Sequence, residues 1–304
     1  MRASSSSHTS SLPRWRVWLL GARPATLFAS VTPVLVGTAV GVRQSHSLRV
    51  LPFLAALTAA VLIQIGTNYA NDLFDYLKGA DTPARAGPTR ITARGLVTPA
   101  ETRRAVIITF GLAALLGLYL IAVGGWPILL IGVLSIASGI LYTAGPWPLG
   151  YIGLGDLFVF LFFGLAAVMG SAELQSGAFS WLAFWAAVPI GLLVTNILII
   201  NNVRDIPTDR AAGKRTLAVR IGDRASRWQY ALFLLIAYLV PLGLWLGGAV
   251  DGWILLPWLS LPAGIWLAWH VLSGVTGPAL NPLLKRTGQF VLLYGILFAL
   301  GVLR

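Results

Sequence analysis

Nine apolar runs of 17 to 20 residues follow one another along this chain, and no other feature limits its possible folds as strongly. They are Ala25–Val42, Leu51–Tyr69, Ala105–Val123, Trp126–Thr143, Ile152–Gly170, Trp181–Ile200, Gln229–Leu246, Trp253–Leu272 and Thr287–Leu303. A helix needs roughly 17–25 residues to cross about 30 Å of hydrocarbon, so each run is long enough to span a bilayer. Pro33, Pro189, Pro257 and Pro262 fall inside runs, which membrane helices tolerate when neighbours satisfy the freed backbone groups. Only 11% of the residues are charged, whereas a soluble domain carries about 25%. With no Cys, disulfides, thiol nucleophiles and Cys-based zinc sites are excluded. The expected fold is all-α: a polytopic membrane protein of nine transmembrane helices.

The Lys and Arg pattern orients those helices. With the N-terminus inside, nineteen of the twenty-two fall in the tail or in segments 70–104, 144–151, 201–228 and 273–286. Only Arg43, Arg49 and Arg304 fall outside. The positive-inside rule therefore predicts a cytoplasmic N-terminus and an external C-terminus. The net charge of +12 is gathered in inter-helix loops on one side, which argues against a nucleic-acid partner. Residues 1–16, Ser-rich and free of acids, read as a disordered tail, with a transit peptide as the alternative. Residues 17–304 read as one domain.

Two acidic stretches each close an apolar run. They are Asn68-Tyr-Ala-Asn71-Asp72-Leu-Phe-Asp75-Tyr-Leu-Lys78-Gly-Ala-Asp81 and Asn201-Asn202-Val-Arg204-Asp205-Ile-Pro-Thr-Asp209-Arg210. Together they hold five of the ten acidic residues. A charge near a bilayer core costs on the order of 2–3 kcal/mol or more, so two such clusters call for a shared partner. Asn68, Asp72 and Asp75, at i, i+4 and i+7, are expected on one helix face. Asn201, Asp205 and Asp209 drift by about 80° over two turns, which sets Asp209 near the helix end. Oxygen-only ligands suit a hard cation, and Mg²⁺ commonly binds one or two carboxylates together with phosphate oxygens. Lys78, Arg85, Arg90, Arg204, Lys214 and Arg215 stand in or after the two stretches. Paired cations and basic side chains facing one cavity make a diphosphate site. No Gly-x-x-x-x-Gly-Lys-Ser/Thr sequence is present, so a nucleotide P-loop has no support.

These stretches resemble the UbiA superfamily of intramembrane prenyltransferases, and within it the 1,4-dihydroxy-2-naphthoate polyprenyltransferase branch. The matching text is Asn71-Asp72-x-x-Asp75-x-x-x-Gly79-x-Asp81 and Asn201-Asn202-Val-Arg204-Asp205-Ile-Pro-Thr-Asp209-Arg-Ala-Ala-Gly213-Lys214-Arg215, with Ala22-Arg23-Pro24 and Tyr142-Thr-Ala-Gly-Pro146. It covers roughly residues 17–303. The resemblance implies a helical barrel around a central cavity capped by the two motif loops. Two Mg²⁺ would be held by Asn68, Asp72, Asp75, Asn201, Asp205 and Asp209. Arg23, Lys78, Lys214 and Arg215 would contact diphosphate or acceptor, and Tyr142 would face the allylic cation. The implied reaction moves a polyprenyl or phytyl group from its diphosphate to an aromatic acid, with loss of the acceptor's carboxylate, in quinone biosynthesis. Homogentisate and 4-hydroxybenzoate are the alternative acceptors. A multi-pass protein of a bacterial inner membrane is implied ahead of a plastid one. Asp156 departs from the branch, in which a Glu is expected.

Two other classes compete. A CDP-alcohol phosphotransferase needs one compact acidic signature on a single segment, and this chain has two separated ones. A transporter places its charges near the bilayer centre rather than at helix ends. His270 and Glu173 read as a packing histidine and an outer-loop charge.

Overall fold

The computed structural model describes residues 12–80 and 87–304, and all of its regular structure is helical. Arg85 and Asp81 lie outside the described residues. The first helix, α1 (Arg14–Ala22), turns at Arg23 into a short 3-10 segment, and α2 (Phe28–Ser45) leaves it at 53°. Residues 14–16, read from the sequence as the end of a disordered tail, are already helical, and residues 1–11 of that tail lie outside the described residues.

The next helix, α3 (Val50–Leu77), runs eight residues beyond its predicted apolar run, which puts the first acidic stretch on a continuous helix. The fourth, α4 (Pro99–Leu141), starts with a capping box in which Thr98 and Glu101 satisfy each other's backbone N–H, and with Pro99 at its first turn. Its 43 residues would extend roughly 65 Å at 1.5 Å per residue, about twice a bilayer core. It is broken at Gly125, where φ 71° and ψ −156° are open only to glycine. The two predicted runs Ala105–Val123 and Trp126–Thr143 lie on either side of that break. Ile107, Leu115, Leu118 and Leu134 stay exposed along α4, an apolar outer face suited to lipid.

One continuous helical span, Gly155–Ser176, follows. It comprises α5 (Gly155–Val159), a π-helical stretch at Phe160–Ala166 and α6 (Ala167–Ser176). Glu173 is buried inside α6, so it is not the outer-loop charge expected from the sequence. The central helix is α7 (Trp181–Ala211), capped by the Ser180 hydroxyl and 78% buried over its most apolar window. It too runs past its apolar stretch and carries the second acidic cluster. After the short α8 (Leu217–Ile221) come α9 (Asp223–Leu246), a 3-10 run leading into α10 (Leu261–Leu272), and α11 (Leu280–Leu303).

Seven of the described helices are long and apolar enough to cross a membrane, and the bent α1–α2 pair makes an eighth. Close packing relies on small residues. A Cβ at Gly37 or Gly41 of α2 would come within 2.2 or 2.4 Å of the Val168 or Ala172 carbonyl of α6. Glycines four apart let these two backbones touch, as membrane helices often do.

Candidate active site

The C-terminal ends of α3 and α7 open on one cavity of about 1060 Å³. Asn68, Asn71 and Asp75 reach it from α3, and Asn201, Asn202, Asp205 and Asp209 from α7. Arg23, Arg90, Lys214, Tyr142 and Tyr151 are also part of its polar wall. The two acidic stretches, whose first residues are 133 positions apart, therefore meet.

Asp75 is the hub of the first cluster. It is almost fully buried, and Arg90 donates to its Oδ2 at 2.5 Å. Lys214 Nζ donates to Oδ1 at 3.1 Å and the Tyr151 hydroxyl to the same oxygen at 2.5 Å. Asn68 donates to the Ala22 carbonyl at 2.9 Å and to the Thr26 hydroxyl at 3.2 Å, which pins the bend between α1 and α2 beside the cavity. Arg23, at the centre of that bend, holds a left-handed φ of 52°. Non-glycine residues take that conformation rarely and at a cost of about 1–3 kcal/mol, typically at functional sites.

Asp72 does not join them. Its two carboxylate oxygens accept the backbone N–H groups of Ile91 and Thr92 at 3.0 and 2.9 Å, and it is fully buried away from the cavity. Helical geometry explains the correction. At 100° per residue, Asn68, Asp75 and Asn71 fall within about 60° of one another. Asp72 lies about 40° beyond Asn68 on the other side, facing the loop that follows α3. The inward residue of the Asn71–Asp72 pair is Asn71, whose Oδ1 accepts from the Thr143 hydroxyl at 3.0 Å.

In the second cluster Arg204 lies buried among its neighbours and is absent from the cavity wall. It donates to both oxygens of Asp205 at 2.8 and 2.7 Å, to Asn201 Oδ1 at 2.6 Å and to Asn281 Oδ1 at 2.9 Å. It thus orients two cavity residues and ties α7 to the start of α11, whereas the sequence sets it among the diphosphate-facing basic residues. Arg215 is exposed, and its backbone N–H donates to the Tyr151 carbonyl at 2.8 Å, so it too stands outside the cavity wall.

Lys78 sits at the rim, exposed, donating to the Gly145 carbonyl at 2.9 Å. Its ammonium is pushed below the ordinary lysine range, first by desolvation, with Lys214 adding repulsion and Asp75 opposing both. Tyr142 faces the cavity from the end of α4. It also lines a second, more apolar compartment of about 650 Å³, together with Thr67, Val159 and Phe163. That compartment shares Ala60, Ile63, Ser135, Phe162 and Ala167 with a third, of about 1030 Å³, between α3, α4 and α6. Asp156 is buried and accepts from Gln229 at 2.9 Å, and it lines none of the three. His270 bonds the Trp266 carbonyl through Nδ1 at 2.8 Å and packs on that ring, the helix-packing role read from the sequence.

Among the described residues no three acidic or histidine side chains form a metal-ligating group. The cavity nevertheless presents carboxylate and amide oxygens from two helices, with no nitrogen or sulfur ligand among them. Such a donor set fits a hard divalent cation that arrives with phosphate oxygens to fill its shell, rather than one caged by protein alone. Asn71 and Asn202 stand in the quoted motifs without a ligand role assigned to them, although the i, i+4 spacing of Asn71 and Asp75 marks the first. Tyr151 and Asn281 lie outside both motifs, and nothing in the spacing marks them.

Residues 30–300 match the model of the UbiA prenyltransferase family. The chain belongs to that family. It is 40% identical over 299 residues to the 1,4-dihydroxy-2-naphthoate octaprenyltransferase of Escherichia coli K12, covering 96% of both chains. Identity to the enzyme of that name from Mycobacterium tuberculosis is 38% over 282 residues, covering 93% of this chain and 95% of the other. The fold matches a UbiA homolog from Archaeoglobus fulgidus bound to DMAPP and Mg²⁺, with TM-score 0.65 at 15% identity, over 92% of this chain and 98% of that one. It also matches the apo UbiA homolog from Aeropyrum pernix K1, with TM-score 0.70 at 17% identity, over 91% and 96%. Family membership and the run of long apolar helices make this an integral membrane protein.

Proposed function

We propose that this chain transfers a polyprenyl group from its diphosphate to 1,4-dihydroxy-2-naphthoate, with loss of the acceptor carboxylate, in quinone biosynthesis. The observation that carries the reading is the union of one polar cavity, walled by both acidic clusters, with two apolar compartments reached past Tyr142. The acceptor is inferred from the relatives' activity, since 40% identity spans nearly the whole chain.

Asn68, Asn71, Asp75, Asn201, Asp205 and Asp209 would hold Mg²⁺ with the diphosphate, and two clusters suit two ions. Bound there, the metal supplies charge neutralisation for the leaving diphosphate. The chain's own groups do the rest. Arg90 and Lys214, both largely buried, place fixed positive charge beside Asp75, where a departing diphosphate gathers negative charge. Arg23 brings a third cation to the cavity from the α1–α2 bend. Tyr142, between the polar and apolar compartments, presents its ring where the allylic carbon would lie and steadies the positive charge growing there. The apolar compartments take the tail, each buried methylene gaining about 0.8 kcal/mol. They also keep water from quenching the cation before the electron-rich acceptor ring attacks.

The chain is proposed to act as one domain from residue 17 onward, with nine crossings once α4 is counted as two about Gly125. The N-terminus would be cytoplasmic, the C-terminus external, and the host a bacterial inner membrane. The deciding experiment incubates the purified protein with Mg²⁺, labelled polyprenyl diphosphate and 1,4-dihydroxy-2-naphthoate. A prenylated, decarboxylated product by mass spectrometry is expected. Prenylation of 4-hydroxybenzoate or homogentisate in its place would reassign the acceptor, and release of pyrophosphate with no acceptor at all would remove the transferase reading.

A further inference from the structure

Tyr151 lies on the loop between α4 and α5, outside every acidic motif, yet three parts of it touch three different segments of the site. Its hydroxyl donates to Asp75 Oδ1 at 2.5 Å, on the helix end that carries the first cluster. Its ring has the Lys214 ammonium 4.4 Å from its centroid and the Lys78 ammonium 5.1 Å from it. Its backbone carbonyl accepts from Arg215 N–H at 2.8 Å, in the loop beyond the second cluster. The same side chain lines the cavity.

Two ammonium groups repel, and each long lysine stem has rotamer freedom to lose. An aromatic ring offsets both costs, since its negative face attracts cations and fixes where they stand. Neither lysine depends on the ring alone. Lys78 also donates to Gly145 and Lys214 to Asp75, so the Lys214 ammonium is fixed in the cavity wall and the exposed Lys78 ammonium is fixed on the same ring beside it. A residue serving only to staple loops has no need of a hydroxyl on the buried carboxylate that anchors the first cluster. We propose that Tyr151 is a positioning residue for diphosphate: its ring sets the Lys78 and Lys214 ammoniums as a pair, and its hydroxyl fixes Asp75 in line with them. The proposal rests on the reading of the cavity as a diphosphate site.

The hydroxyl and the ring can be removed separately. The full chain, purified in detergent, is compared with Tyr151→Phe and Tyr151→Leu. Inorganic pyrophosphate binding in the presence of Mg²⁺ is followed by calorimetry, Mn²⁺ binding by electron paramagnetic resonance, and folding by thermal unfolding. Tyr151→Phe keeps the ring, so pyrophosphate should bind within about twofold of the parent while Mn²⁺ weakens about threefold, the size of one lost hydrogen bond. Tyr151→Leu should weaken pyrophosphate roughly tenfold as the ring face is lost. Equal pyrophosphate affinity in the Phe and Leu variants, or lowered unfolding temperatures with unchanged ligand affinities, would show Tyr151 to be a loop staple and overturn the assignment. Should Tyr151→Leu not fold, unchanged Mn²⁺ affinity in Tyr151→Phe overturns it on its own. A parent chain that binds no pyrophosphate in Mg²⁺ removes the diphosphate site itself, and Tyr151's role with it.

Discussion

Lys214 Nζ stands 3.1 Å from Oδ1 of Asp75, across 139 residues of sequence. That contact joins the segment following the second acidic cluster to the centre of the first, and it makes one site of two motifs. Asp75→Ala is expected to abolish prenyl transfer, by at least about a hundredfold in kcat, because it strips the cavity of a charge that both metal and lysine need. Lys214→Ala should mainly raise KM for the prenyl diphosphate. Steady-state kinetics on both variants, with thermal unfolding as the control for folding, provides the check. An active Asp75→Ala enzyme would remove Asp75 from the site.

Asp72 behaves differently in the structure and should do so in solution. Its oxygens are taken up by the backbone N–H groups of Ile91 and Thr92, so Asp72→Ala leaves two buried donors without acceptors. Each such group costs about 1–3 kcal/mol, and the expected result is a protein with a clearly lowered unfolding temperature. The fraction that stays folded should bind Mn²⁺ much as the parent does. Loss of Mn²⁺ binding at unchanged thermal stability would restore Asp72 to the metal site.

The difference between Asp72 and Asp75 shows how far the sequence could be read. Apolar runs placed nearly every helix, because the need to bury or lipidate some 20 residues at a time leaves few options. The two clusters announced a shared partner for the same reason, a charge cost that demands one. Which oxygen faces inward is settled by a rotation of some tens of degrees, and by a loop that brings Ile91 and Thr92 over α3, neither of which the i, i+4, i+7 spacing encodes. Arg204 shows the same limit: its position beside Asp205 was plain, while its turn away from the cavity depends on Asn281, 77 residues further on. Tyr151 enters the wall through a loop whose path no local pattern specified.

Arg204 holds both oxygens of Asp205 from a buried position. Arg204→Ala removes a buried ion partner of that carboxylate, and breaking a buried pair typically costs about 3–5 kcal/mol. Arg204→Lys keeps the charge but cannot reach Asp205, Asn201 and Asn281 together, so a smaller loss of stability and a raised Mg²⁺ requirement are expected. Thermal unfolding and Mg²⁺ titration of activity test both. Equal stability of the two variants and the parent would show the bidentate pair to be dispensable.

Orientation can be tested in a chain that has no cysteine of its own. Ser47 is exposed after α2 and Ala225 at the start of α9, and the proposed orientation would set them on opposite sides of the membrane. In intact cells a membrane-impermeant maleimide should label Ser47→Cys and spare Ala225→Cys, and permeabilisation should expose the latter. The reverse pattern would invert the orientation drawn from the Lys and Arg distribution.

The apolar compartment between α3, α4 and α6 is proposed to hold the prenyl tail, and its size should then limit which donors fit. Gly132 of α4 lines it, and a Cβ built there meets nothing within 4 Å, so a larger side chain can enter without moving the backbone. Gly132→Leu also replaces a helix-interior glycine with a good helix former, which favours folding by up to about 1 kcal/mol. The variant should therefore fold at least as well as the parent while its side chain takes up part of the space. Long polyprenyl diphosphates would lose affinity as their distal units are displaced, and geranyl diphosphate, too short to reach that depth, would bind as before. The measurement is KM for a series of donors of increasing length. A uniform change at every length, or none at any, would place the tail elsewhere in the fold.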